Sequence, residues 1–66
     1  MQIYDFTVPE LNKFRLLCNF SDTEMAYFNL RAKHKSNIEI ALSMHISEAQ
    51  VSKLARKVKD KMKRVL

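Results

Sequence analysis

No glycine occurs among the 66 residues, and cysteine and proline occur once each. Without glycine the chain lacks the glycine-rich loop that cradles phosphates in many nucleotide-binding enzymes. A single cysteine, Cys18, excludes an internal disulfide, and we expect it to be a small buried hydrophobe. No apolar run approaches the roughly 20 residues needed to span a bilayer, and Asp5 precedes every basic residue. We therefore expect a cytoplasmic protein with neither a membrane span nor a signal peptide.

The charged residues are unevenly distributed along the chain. Residues 1–30 contain two basic and four acidic residues, whereas residues 31–66 contain ten basic and three acidic ones. The net charge of +5 therefore comes from the second half. A strongly basic half favours a polyanionic partner such as nucleic acid. The alternative interpretation is a lysine-rich helix face that is simply solvated.

Four capping boxes divide the chain into four predicted helices. Each box pairs a serine or threonine with a glutamate or glutamine three residues later: Thr7 with Glu10, Ser21 with Glu24, Ser36 with Glu39, and Ser47 with Gln50. The first helix is expected to end near Cys18, the second near Lys33, and the last to run from about residue 48 to residue 64. Residues 1–6 are predicted to be extended or loosely packed. The sequence thus predicts a small, all-α, four-helix domain.

The capping boxes also explain the glutamates that, taken alone, suggest catalysis. Glu10, Glu24 and Glu39 each stand three residues after a cap, so their structural role is sufficient to account for them. The chain has no recognisable nucleophile–base pair, glycine loop or cluster of metal ligands. We therefore expect neither an enzyme nor a bound cofactor or metal.

Two histidines take the positions where helices two and three must end in tight joints. His34 and His45 stand where glycine is usually found, and histidine is among the residues enriched at positive φ. The alternative is that the two histidines bind a metal, which would require at least two further ligands. We interpret both residues as helix C-caps.

Residues 36–54 show the pattern of a helix-turn-helix. The small Ala41 is placed where two steeply crossing helices bring their backbones together, with Ile46 in the joint. Val51 follows Ala41 by ten residues and helps to fix the crossing angle. The second helix of such a motif presents its outer face to a DNA groove.

The last helix carries an apolar stripe that continues for two turns beyond this motif. The stripe consists of Val51, Leu54, Ala55, Val58, Met62 and Val65. Its far end needs cover, either from the first helix or from a second chain. The second possibility predicts a homodimer through Val58, Met62, Val65 and Leu66, together with Leu11 and Phe14.

Three short motifs occur in an order that matches a known family. They are a hydrophobic residue followed by Ser and Glu (Phe20, Ser21, Glu24), then Ser-Asn-x-Glu-Ile-Ala (Ser36, Asn37, Glu39, Ile40, Ala41), then Ile-Ser-x-x-Gln-Val-Ser (Ile46, Ser47, Gln50, Val51, Ser52), closed by Lys61 and Met62. With them, residues 20–62 resemble the LuxR-type helix-turn-helix domain of bacterial transcription regulators. The segment is similar also to region 4 of sigma-70 factors. Residues 20–66 would then form the family domain, and residues 1–19 an N-terminal extension with one helix.

The chain departs from the family pattern at four positions. His34 and His45 replace two glycines, whereas Gln50 and Ser52 replace the threonine and lysine of the reading helix. The resemblance nevertheless implies a sequence-specific transcription regulator, bacterial or from a phage. It would read the major groove of double-stranded DNA with the helix that starts near Ser47.

The predicted DNA contacts fall into two groups. The residues expected to face base edges are Ser47, Glu48, Ala49, Ser52, Lys53 and Arg56. Those expected to contact phosphate, helped by the helix N-termini, are Lys35, Ser36, Asn37 and Lys57. The alternative function is a sigma-like or adaptor module that acts through contacts with RNA polymerase or a co-regulator. Its working surface would be the exposed side of the first helix or the end of the apolar stripe.

Overall fold

A computed structural model describes residues 2–66 of the chain. Over these residues the backbone forms one short 3-10 helix, Ile3–Asp5, and four α-helices, with no strand. The α-helices are α1 (Val8–Leu17), α2 (Asp22–Ala32), α3 (Asn37–Met44) and α4 (Glu48–Val65). The predicted all-α, four-helix fold is confirmed, with helix bounds within about a residue of those expected.

All four predicted capping boxes are formed. In each, the hydroxyl oxygen of the cap accepts the N–H of the residue three positions later, whose own side chain accepts the N–H of the cap. A cap of this kind stabilises a helix by about 0.5–2 kcal/mol. The backbone hydrogen bonds from Thr7 and Ser36 lower the pKa of Glu10 and Glu39, respectively, because they stabilise the charged carboxylate.

The helix joints are closed by residues other than glycine. His34 and His45 have φ values of 65° and 57°, so both adopt the left-handed conformation expected of C-caps. At the end of α3, the N–H of Ile46 donates to the carbonyl of Ala41 at 3.0 Å, as in a Schellman motif. The interpretation of His45 as a C-cap is confirmed, whereas the C-cap of α2 is Lys33 and His34 is the left-handed residue that follows it. Asn19, which follows α1, has a φ of 52° and was not predicted, although asparagine shares this preference.

The core lies where α2, α3 and α4 meet, and α1 closes one side of it. The largest fully buried side chains are those of Phe28, Ile40, Val51, Val58 and Met62. Helix α1 contributes Leu11 and Phe14 to the same cluster, which also includes its C-cap residue, Cys18, whose thiol has a pKa raised by burial. The first helix and the helix-turn-helix segment therefore share one core.

Helix α1 packs against the far end of the apolar stripe of α4 and helps to cover it. Val58 and Met62 have no exposed surface, since residues of the same chain enclose them. Neither residue is available to a second copy, so the predicted dimer contact through them is wrong. Of the other residues predicted for that contact, Leu11 and Phe14 are also buried, Val65 is half-buried and Leu66 is exposed.

The N-terminal segment is more closely packed than predicted. Ile3 lies in the 3-10 turn and is only 2% exposed, because the turn directs it into the core. The ring of Tyr4 lies 4.4 Å from that of His34, and the guanidinium of Arg31 lies 5.7 Å from the same tyrosine ring. The prediction that residues 1–6 are extended or loosely packed is therefore wrong for residues 3–5, and residue 1 lies outside the described residues.

One buried ion pair connects α2 to α4. Oε1 of Glu24 accepts the backbone N–H of Ser21 at 2.9 Å and lies 2.5 Å from the Lys61 ammonium. That ammonium also donates to the carbonyl of Asn19 at 3.2 Å. Lys61 and the Ser21 N–H together lower the pKa of Glu24, because both stabilise its ionised form. Glu24 and Lys61 together thus connect the α1–α2 joint and the start of α2 to the second half of α4.

This pair predicts how acid affects stability. A carboxyl group whose pKa is lowered by folding stabilises the protein above its unfolded pKa, here 4.5, and this contribution is lost as the pH falls through the folded pKa. Lys61→Met removes the main cause of the lowered pKa. We expect the variant to lose about 1 kcal/mol at pH 7, and the difference from the parent to shrink as the pH falls below about 4.5. Urea unfolding at several pH values measures both.

Lys63→Met is the matched control for this experiment. Lys63 is exposed on the same helix and, within residues 2–66, forms no ion pair within 4.0 Å. Its replacement should leave both the stability at pH 7 and the acid profile close to those of the parent. Equal pH profiles for the parent and Lys61→Met would show that the pair does not stabilise the fold.

Candidate nucleic-acid interface

Helices α3 and α4 are joined by only three residues, His45, Ile46 and Ser47. His45 reverses the chain in the left-handed conformation, and Ser47 caps α4. Ile46 is half-buried and packs against the core. This joint fixes the start of α4 relative to α3, as a helix-turn-helix requires.

One face of α4 packs in the core, and the opposite face is exposed. Val51, Val58 and Met62 are buried on the inner side, with Leu54, Ala55 and Val65 half-buried beside them. The residues predicted to face bases are all exposed, namely Ser47, Glu48, Ala49, Ser52, Lys53 and Arg56. The first turns of α4 therefore present a polar, basic surface to solvent.

Two side chains at the start of α4 are already occupied by the cap. Gln50 accepts the backbone N–H of Ser47 at 3.1 Å, so its carbonyl oxygen is turned back toward the helix end. The hydroxyl oxygen of Ser47 accepts the N–H of Gln50 at 3.2 Å. Among the residues predicted to face bases, Lys53 and Arg56 are exposed and carry long basic side chains that take no part in this cap.

The residues predicted to contact phosphate lie in two places. Lys35, Ser36 and Asn37 surround the N-terminus of α3, and all three are exposed. The ammonium of Lys35 lies 3.9 Å from a carboxylate oxygen of Glu39, and both side chains are about half exposed. Such a surface pair is weak, so it leaves Lys35 free to bind another anion. Lys57 lies apart from this group, on α4.

Two grooves run along the sides of the exposed face of α4. The first, here called the α2-side groove, has a volume of about 230 Å³. It is lined by Thr23, Ile46, Gln50, Lys53, Leu54 and Lys57. Thr23 belongs to the first turn of α2, so the two lysines of α4 face the start of that helix. This groove brings Lys53 and Lys57 together on one side of α4.

The second groove, here called the α3-side groove, has a volume of about 330 Å³. It is lined by Asn37, Ser52, Ala55, Arg56, Lys59, Asp60 and Lys63. Asn37, the first residue of α3, forms one wall, whereas the remaining residues belong to α4. This groove contains two residues predicted to face bases, Ser52 and Arg56, and one predicted to contact phosphate, Asn37. Lys57, which is also predicted to contact phosphate, lines the α2-side groove instead.

Among the residues that line these grooves, the predicted contacts omit Thr23, Lys59, Asp60 and Lys63. The helical repeat already predicts that Asp60 and Lys63 lie on the exposed face of α4, and it could have identified Lys59 in the same way, since Lys59 follows Arg56 by three residues. Thr23 has no comparable signal, because its position depends on how α2 packs against α4.

Within residues 2–66, no helix has the length and apolar character needed to cross a membrane. No three His, Cys, Asp or Glu side chains in that range lie close enough together to hold a metal ion. No protein-family model, curated protein or solved structure matches the chain.

Proposed function

We propose that this protein is a transcription regulator of the LuxR-type helix-turn-helix class that binds double-stranded DNA sequence-specifically. Helix α4 enters the major groove with its exposed face toward the base edges. The observation that carries the proposal is the composition of that face: Lys53 and Arg56 project from a helix whose opposite side is locked in the core. A reading helix needs this combination of a rigid support and free, polar side chains.

The electrostatics of the chain support the same function. Ten of the twelve basic residues lie in residues 31–66, which include α3 and α4. Both grooves beside the exposed face of α4 are lined with lysine or arginine. A duplex presents two phosphate strands, one on each side of its major groove. A reading helix flanked by basic grooves on both sides suits that distribution of charge.

The primary experiment measures binding to random-sequence duplex DNA at two salt concentrations, followed by selection of preferred sites. The proposal requires measurable affinity for random DNA that falls steeply with salt, because released counterions drive this part of binding. It also requires that selection enrich a defined sequence. Absence of DNA affinity at moderate salt would overturn the proposal.

The phosphate contacts predict a specific change in this salt dependence. Lys35→Gln and Lys57→Gln should each reduce the slope of log affinity against log salt by about one unit and weaken all sequences alike. Lys33→Gln is the matched control, since Lys33 is exposed at the end of α2 and lines neither groove beside α4. Fluorescence anisotropy at several salt concentrations gives the three slopes. An equal change in all three variants would show a general charge effect rather than two contacts.

The same proposal includes binding as a homodimer. A single module of this size buries little DNA surface, whereas two copies can read two half-sites of a palindrome. The contact between copies cannot use Val58 or Met62, which are enclosed in the monomer. Val65 and Leu66 remain at the surface, next to Phe6, which precedes α1, and to Lys13 of α1. Sedimentation with a selected palindromic duplex counts the copies, and one copy at saturation would exclude the dimer.

A second candidate function, the adaptor module, is favoured by the exposed apolar side chains. Leu16 on α1 is 82% exposed, and Ile38 and Leu42, one turn apart on α3, are 59% and 72% exposed. Exposed apolar groups of this size often mark protein contacts. Two results together would establish the adaptor function. The chain would not bind DNA in the primary experiment, and it would bind RNA polymerase in a way that Leu16→Lys abolishes.

A further inference from the structure

We propose that the α3-side groove binds a backbone phosphate of the DNA duplex. The contact would extend the DNA-binding surface past Arg56, the last residue predicted to face base edges, to Lys59 and Lys63. This inference rests on the proposed DNA-binding function and deepens it by assigning a role to the second half of α4.

The geometry of α4 is the first reason. Its 18 residues make a rod about 27 Å long at 1.5 Å per residue. The major groove is about 12 Å wide and curves around the duplex, so a straight helix of this length cannot remain inside it. At the point where the helix leaves, it must pass over a sugar–phosphate strand. Lys59 and Lys63 follow Arg56 by one and two turns and lie where that crossing takes place.

The availability of charge in the groove is the second reason. Within the described residues, neither Lys59, Lys63 nor Arg56 forms an ion pair within 4.0 Å. Lys61 differs, because its ammonium is held by Glu24 and by the carbonyl of Asn19. Lys61 is therefore engaged in the contact with α2, whereas Lys59 and Lys63 are available to a ligand.

The walls of the groove also suit a phosphate group. Lys59 is only half-buried, so its aliphatic stem is supported by the protein while its ammonium can reach solvent. Opposite stands Asn37, which can donate from its side-chain amide at the N-terminus of α3. Asp60 is the acidic member of the lining, against three basic ones. The excess of positive charge in the lining favours an anion. For a helix that reads the major groove, the nearest anion is a phosphate of the DNA strand that the helix crosses.

The test compares two double variants of the whole chain. Lys59→Gln with Lys63→Gln removes two charges from the groove, whereas Lys33→Gln with Arg64→Gln removes two exposed charges outside both grooves. We expect the first variant to reduce the salt slope by about two units. When the salt concentration rises from 50 to 200 mM, the DNA affinity of the parent should then fall by a factor about 12 times larger than that of the groove variant. The selected sequence should stay the same, because phosphate contacts carry no sequence information.

Each other outcome overturns the inference in a distinguishable way. If the parent binds DNA but the salt slope of the groove variant equals that of the control or of the parent, no phosphate binds in this groove. The proposed function then remains intact. Relaxed preference at one base pair would show instead that the groove contacts a base. A parent without DNA affinity overturns both the proposed function and this inference. Circular-dichroism melting confirms that both variants are folded before binding is compared.

Discussion

Replacing Ala41 with leucine should lower the free energy of unfolding by about 1–3 kcal/mol. Ala41 is 8% exposed on the inner side of α3, next to the fully buried Ile40. Its carbonyl accepts the N–H of Ile46 at 3.0 Å, so the backbone at this point is fixed by the joint and cannot move to make room. Three additional carbon atoms must therefore overpack the interface between α3 and the helices beneath it.

Chemical denaturation of the parent and Ala41→Leu measures this loss. Ala26→Leu is the matched control, because Ala26 is exposed on α2 and adds the same atoms without entering the core. In a domain of 66 residues a loss of this size is a large share of the total stability. If Ala41→Leu unfolds at the same denaturant concentration as the parent, the close approach of helices at Ala41 is not a feature of this fold.

Local signals were sufficient to predict the helices. Each capping box spans only four residues, so the starts of α1, α2, α3 and α4 could be assigned without knowledge of the tertiary structure. The ends at His34 and His45 followed from the same reasoning, because few residues other than glycine adopt a positive φ easily. The apolar stripe of α4 predicted its buried face for a similar reason.

The features that sequence reasoning missed depend on residues far apart in the chain. Ile3 reaches the core only because the folded protein offers a site for it, and nothing in residues 1–6 predicts that site. Glu24 and Lys61 are 37 residues apart, so their pairing has no local signal. The burial of Val58 and Met62 likewise depends on the path of α1, which could have left them exposed.

The same distinction applies to the candidate interface. The exposed face of α4 could be predicted from its helical repeat, and every residue assigned to it is exposed. Its two grooves could not, because each needs a wall from another helix: Thr23 of α2 in one and Asn37 of α3 in the other. The sequence therefore predicts which side of α4 is free, whereas the packing of α2 and α3 determines what flanks it.

Replacing both Lys53 and Arg56 with alanine should have the largest effect on specific DNA binding. Each side chain should contribute about 1–3 kcal/mol if it makes a bidentate contact to a base edge, so the pair should cost roughly 2–6 kcal/mol on the preferred site. Binding to random DNA should fall much less, because only the charge of two residues is lost. The ratio between specific and random affinity should therefore collapse.

Stability provides the internal check on this double variant. Lys53 and Arg56 are exposed, and within residues 2–66 neither forms an ion pair within 4.0 Å, so the melting temperature should change little. Lys57→Ala is the matched control, since a lysine that contacts phosphate should weaken both kinds of DNA alike. Titration of each variant with the selected duplex and with a scrambled one separates these effects. If Lys53→Ala with Arg56→Ala lowers both affinities by the same factor as Lys57→Ala, these residues contact phosphate and other side chains of α4 read the sequence.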